Sequence, residues 1–308
     1  MEKRYYGGDR VMKCRSRRFA AVDILLILMM VIPLLFAIVL KVLTTPATEG
    51  VSITGAQIYF TIPMPIQDLP ITAAQVNSWM VILSVFALCL FMTHGLGVRK
   101  ATARQHIAEW AIEKTEGLVK DLMGDFFAGF APFIATILAL SAFSSLLSLL
   151  GLFPPTSDIN IVAGWAILVF ILITHYKLKG GVGNYLKGFT EPIFVMAPLN
   201  VLGEIATPVS MAFRHYGNVM SGSVIAVLVA AGLQWLSIQV LGWLPGFLGE
   251  IPFLQIGLPA VLSVYFDVFS GCMQAYIFAM LTMLNIAGGF PADLYEERMR
   301  KKHSKNKQ

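Results

Sequence analysis

Long apolar runs separated by short polar or basic stretches recur along the whole chain. Crossing a hydrocarbon core of about 30 Å takes about 20 helical residues at 1.5 Å each. Residues 24–40, 76–92, 130–150 and 161–173, with their flanks, read as such spans. Two longer apolar segments follow, 193–241 and 252–287. The first would exceed about 60 Å as one helix, so it must tilt steeply or break, with Pro198 and Pro208 as the breaking points. Residues 105–123 differ: Ile107, Ala111, Leu118 and Leu122 share one helical face, and Glu109, Glu113, Glu116 and Lys120 another. That pattern predicts a helix lying in the membrane interface.

The intervening stretches set the orientation. Residues 44–70 hold no Lys or Arg and suit an outer loop, with short extended pieces around 57–62. The turn-rich stretch 153–160 also lacks a basic residue, whereas Arg99, Lys100, Arg104, Lys177, Lys179 and Lys187 follow spans on the other side. Residues 1–18 and 291–308 are dense in Lys and Arg, which places both termini in the cytoplasm. The first apolar run is too long for a signal-peptide core, and no small-x-small site follows it, so it is expected to remain as a helix.

Composition agrees, with 56% hydrophobic and 13% charged residues against about 25% charged in a soluble domain. The net charge of +5 sits in membrane-flanking clusters and gives no reason to invoke nucleic acid. Cys14, Cys89 and Cys272 are widely separated and have neither disulfide nor metal-site spacing. The expected fold is an all-α polytopic membrane protein with about six membrane-embedded helices, two of them long, tilted and C-terminal, plus an interfacial amphipathic helix. It divides into a basic leader (1–18), an extra N-terminal transmembrane helix (19–43), an outer loop (44–70), a membrane domain (71–290) and a basic tail (291–308).

The chemistry centres on Arg214, far from either end of an apolar segment. An arginine at mid-membrane costs at least about 2.5–3.5 kcal/mol, so it requires water or a partner, and such residues usually mark a pathway. The plainer reading is an arginine paired for bundle stability or snorkelling to an interface. Its neighbours favour function: Asn200, Glu204, Thr207, Arg214, Asn218 and Ser221 recur at helical spacings and form a polar stripe. The next segment carries Asp267, Ser270, Gln274 and Asn285 near one face. Ser, Asn and Gln also hold helices together without further function, a reading that suits Glu204 and Asp267 less.

The runs GEIATPVSMAFRHYGN (203–218) and QAYIFAMLTM (274–283) resemble the paired signature of subunit a of rotary, F-type ATP synthases. PTSDIN (155–160) and YLKGFTEP (185–192) are similar to family patterns too. The resemblance covers roughly residues 70–290. It implies a bacterial inner-membrane stator subunit that works against the c-ring and is held by peripheral-stalk b subunits and other subunits within membrane lipid. Arg214 would be the essential arginine and Gln274 its neighbour on the last helix. On the topology above, Asn218, Ser223 and Asp267 would line the outer half-channel and Asn200 and Glu204 the cytoplasmic one, with Ser221 and Ser270 also on the proton pathway. Two departures stand out: Ser223, nine residues after the arginine, where the family often carries an ionisable group, and Asp267, seven before Gln274. No Gly-rich phosphate loop is present, so nucleotide chemistry belongs to other subunits, and no cofactor or metal is expected. The competing reading is a secondary transporter using Arg214 to bind an anionic substrate, which a duplicated half would support and this sequence does not contain.

Overall fold

The structure, a computed structural model, describes residues 21–44, 55–65, 68–94, 103–190, 194–241, 257–293 and 295. The expectations for the basic leader, most of the basic tail, part of the outer loop and the markers Arg99 and Lys100 fall outside those residues. Among the described residues, six helical spans are long and apolar enough to cross a membrane: Ala21–Thr44, Ala73–Thr93, Asp125–Leu150, Ile159–Leu178, Phe194–Val240 and Val261–Gly289. The chain is thus an all-α multi-pass membrane protein, as its hydrophobic pattern implies.

Helix α1 (Ala21–Thr44) packs along α2 (Ala73–Thr93). Ala37, Val81, Val85 and Leu147 fill their shared seam, and Ser84 Oγ donates to the Met30 carbonyl at 2.9 Å. Between them lies an antiparallel hairpin, β1 (Ile58–Ile62) and β2 (Leu69–Thr72), within the stretch where extended pieces were expected. Thr72 and Gln75 close a reciprocal capping box that starts α2. Helix α3 (Ala103–Met123) is the amphipathic element. Arg104, expected only to mark the cytoplasmic side, pairs with buried Asp23 of α1 at 2.8 Å. Its guanidinium also lies 4.6 Å from the Phe91 ring centre.

The core is where α3 meets α4 (Ala131–Leu146), α5 (Ile159–Leu178) and α9 (Gly271–Gly289). Val119, Met123, Ile134, Val169, Phe278, Met283 and Ile286 are buried there. Lipid is as apolar as these side chains, so close packing rather than escape from water holds such helices together. Gly271 shows it: a Cβ at this position would sit 2.7 Å from Ser145 Cβ, so α4 and α9 touch at a point only glycine permits.

After the short helix α6 (Val182–Thr190), the chain forms α7 (Ala197–Leu241), 45 residues long. Of the two expected outcomes, a steep tilt or a break at Pro198 or Pro208, the break does not occur among the described residues. Pro198 occupies the first turn, where its missing N–H costs nothing. Pro208 removes one mid-helix bond, but its ring is buried and Thr207 Oγ1 bonds the Gly203 carbonyl at 3.1 Å. At about 67 Å, α7 has to tilt. The last span is not uniform: α8 (Leu258–Ser263) passes through a π-helical turn, Val264–Ser270, before α9. Such wide turns insert a residue and re-aim side chains, frequently at functional sites.

Candidate functional site

Helix α7 is anchored by one face only. Met211, Ala212 and His215 are buried, Ala212 against Val162 and Ala166 of α5. The His215 ring is wholly enclosed, with Trp165 and Phe278 edge-on at 6.1 and 5.4 Å and Nε2 3.3 Å from Ser141 Oγ. His215 therefore fixes the rotation of the helix, a role the sequence did not suggest. Arg214, one position earlier, is turned outward and exposed. Among the described residues it makes no hydrogen bond or ion pair. The bundle-pairing explanation of a mid-membrane arginine thus finds no partner in that set. The surroundings are apolar, with Leu202, Ile205, Val209 and Phe213 exposed on α7 and Phe269, Met273 and Tyr276 on the adjoining span.

One turn along from Arg214, the two signature runs meet. Asn218 Nδ2 donates to Gln274 Oε1 at 3.2 Å, and Ser270 Oγ donates to Asn218 Oδ1 at 3.4 Å. Gln274 is buried. Its hydrogen bond is to Asn218, one turn from Arg214, and not to the arginine that the resemblance implied as its neighbour. Ser221 is exposed and spends its hydroxyl on the Gly217 carbonyl.

Towards the start of α7 a cavity of about 630 Å³ is lined by Asn200, Glu204 and Thr207, with Asn285 from α9 and Lys177, Asn184 and Tyr185 from α5 and α6. Glu204 is held by Lys177, whose Nζ lies 2.7 and 2.9 Å from its two oxygens. Lys177, expected only as a marker of the cytoplasmic side, is thus part of this site. Burial, reinforced by the Glu204 charge, pushes the Tyr185 phenol above its ordinary value. Asn200 Nδ2 donates to the Phe189 carbonyl at 2.8 Å.

A second cavity, about 400 Å³, opens near the other part of α7. Ser223 and Asp267 both line it, so the two departures from the family pattern share one space. Asp267 sits in the π-turn, with the Ser263 and Ser148 hydroxyls near its carboxylate. Asn77, Ser157, Tyr59 and Lys41 complete the wall from α2, the 153–160 turn, the hairpin and α1. The sequence reading missed these, although Ser141, Ser144, Ser145 and Ser148 recur at helical spacing and could have signalled a polar face on α4. By helical rise, Arg214 lies about 10 Å along α7 from Thr207 and about 13 Å from Ser223.

The description ATP synthase A chain belongs to the family model that matches residues 76–287, about two thirds of the chain. This chain belongs to that family. Relatives named ATP synthase subunit a include one from Legionella pneumophila (strain Paris), 27% identical over 74% of this chain and 90% of its own. Another, from Desulforamulus reducens, is 31% identical over 69% of this chain and 77% of its own. A third, ATP synthase subunit a 1 of Crocosphaera subtropica, is 28% identical over 72% and 89%. As a member of the ATP synthase A chain family, the protein works within the ATP synthase complex as the stator of its proton channel, and the transporter alternative is not favoured. Helix α1 and the hairpin precede the matched residues.

Proposed function

We propose that the two cavities are the offset half-channels of this stator and that Arg214 separates them while facing the c-ring. The observation that carries the reading is the arrangement along α7: a polar cavity on each side of an outward-facing arginine. In this scheme a proton enters at Ser223, reaches Asp267, and passes by the Asn218, Ser270 and Gln274 cluster to a ring carboxylate. After rotation the carboxylate releases its proton into the cavity of Glu204 and Asn200. Arg214 cannot relay a proton, because guanidinium stays charged at any physiological pH, and it favours the ionised ring carboxylate as that passes. The pair has to stay hydrated, since a dry ion pair would trap the rotor. Each proton crossing the full potential supplies about 2.3 kcal/mol per 100 mV, so several must act per ATP. Peripheral-stalk b subunits would hold the stator against the torque.

Accessibility tests this scheme together with the bacterial inner-membrane topology. Cysteines are placed singly at Ser304, Thr207 and Ser223 after Cys14, Cys89 and Cys272 are replaced. An impermeant thiol reagent outside intact cells should reach position 223 and spare 207 and 304, with the reverse in inverted vesicles. Labelling of 207 or 304 from outside would overturn the assignment.

A further inference from the structure

Helix α1 lies outside the family match, yet it ends in the proton entrance. Its last turn carries Lys41, which lines the same cavity as Asp267 and Ser223. That cavity is rich in hard oxygen donors. Asn77 Oδ1 and Ser157 Oγ are both buried and have no hydrogen-bond partner among the described residues; the Asn77 amide N–H donates to the Phe153 carbonyl at 2.8 Å. Oxygen donors beside a carboxylate are what a hard alkali cation seeks.

Lys41 is held in place from two sides. Its ammonium donates to the Gly151 carbonyl, where the span Asp125–Leu150 ends in a left-handed glycine at φ +69°. A cation suits a helix C-terminus, where unpaired carbonyls collect partial negative charge. The same glycine donates its N–H to the Ser148 carbonyl at 2.9 Å, and the Ser148 hydroxyl lies near Asp267. On the other side, Gln57 Nε2 donates to the Thr44 carbonyl at 2.6 Å, so the hairpin fastens the end of α1 over the cavity.

We propose that α1 contributes the residue that makes this entrance selective: the Lys41 ammonium is a tethered cation that keeps alkali ions from the oxygen-lined cavity and Asp267, while protons pass by relay through water and hydroxyls. The proposal rests on the reading of this cavity as the entry half-channel. Lysine acts here through charge and not through contact with the ring, so its removal should alter ion competition more than the maximal rate.

The test uses the complete complex in proteoliposomes and reads potential-driven proton flux from the side of the Asp267 cavity. Sodium chloride replaces choline chloride at constant ionic strength, which holds general screening fixed. Flux through the native complex and Lys41→Arg should stay nearly flat across the replacement. In Lys41→Gln, which can still bond the Gly151 carbonyl, flux should fall several-fold as sodium replaces choline. A flat response in Lys41→Gln, or native flux that depends on sodium, overturns the proposal. Asp267→Asn in the same assay separates the two ideas. If Asp267→Asn is slow and Lys41→Gln indifferent to sodium, only the role of Lys41 fails, whereas normal flux in Asp267→Asn removes the entry path on which it stands.

Discussion

Arg214→Ala is expected to reduce ATP-driven acidification of inverted vesicles to background while the complex remains assembled. The side chain projects outward from α7 and has no partner among the described residues, so no internal contact is lost with it. Removing a mid-membrane guanidinium also relieves at least about 2.5–3.5 kcal/mol of insertion cost, which argues against a folding defect. Buried His215 keeps the rotation of the helix, so the loss should be confined to charge. Arg214→Lys should also fail substantially, because an ammonium is a point charge that can lose its proton when desolvated. Assembly is checked in parallel by recovery of the intact complex. Near-normal pumping by assembled Arg214→Ala would remove the stator arginine from the mechanism.

Asp267→Asn is expected to slow proton entry by about tenfold or more, a modest share of what a positioned acid-base group can contribute. Asparagine keeps the size and can still face the Ser148 and Ser263 hydroxyls but cannot hold and release a proton. Ser223→Ala should be mild, since serine only orders water. Because both residues line the same cavity, adding Ser223→Glu to Asp267→Asn should restore part of the flux. The plainer account makes Asp267 a solvating group among these hydroxyls, and it predicts equal, small losses in the two single variants. Proton flux against pH in reconstituted vesicles distinguishes them.

The spans and the interfacial helix were legible because length and hydrophobic period are local properties of sequence. For α7 the sequence left a tilt and a break both open; the choice between them depends on burial of the Pro208 ring, a tertiary effect. The π-turn at Val264–Ser270 was equally hidden, as nothing local announces one extra residue in a turn. Polar stripes on α7 and α9, read with the topology, already separated Asn200 and Glu204 from Ser223 and Asp267, and the two pairs line different cavities. Asn200, Glu204 and Thr207 enter one cavity, Ser223 and Asp267 another, and Arg214 turns away from both. Long-range partners were missed altogether: Lys177 for Glu204, Asp23 for Arg104, and Lys41 at the Asp267 cavity. Lys177 and Arg104 already had a sufficient explanation as topology signals, while Asp23 and Lys41 entered no sequence reading.

The claim that the Arg214 face of α7 meets the rotating ring is tested most directly by oxidative cross-linking in the intact complex. The native Cys14, Cys89 and Cys272 are replaced first, and one cysteine is placed beside the carboxylate on the ring helix. Ser210 and Ser221 are exposed and share the Arg214 face by helical spacing, whereas Ala212 is buried against α5. Ser210→Cys and Ser221→Cys should form disulfides with the ring helix, and Ala212→Cys should form none. A cross-link from position 212 with none from 210 or 221 would contradict the account.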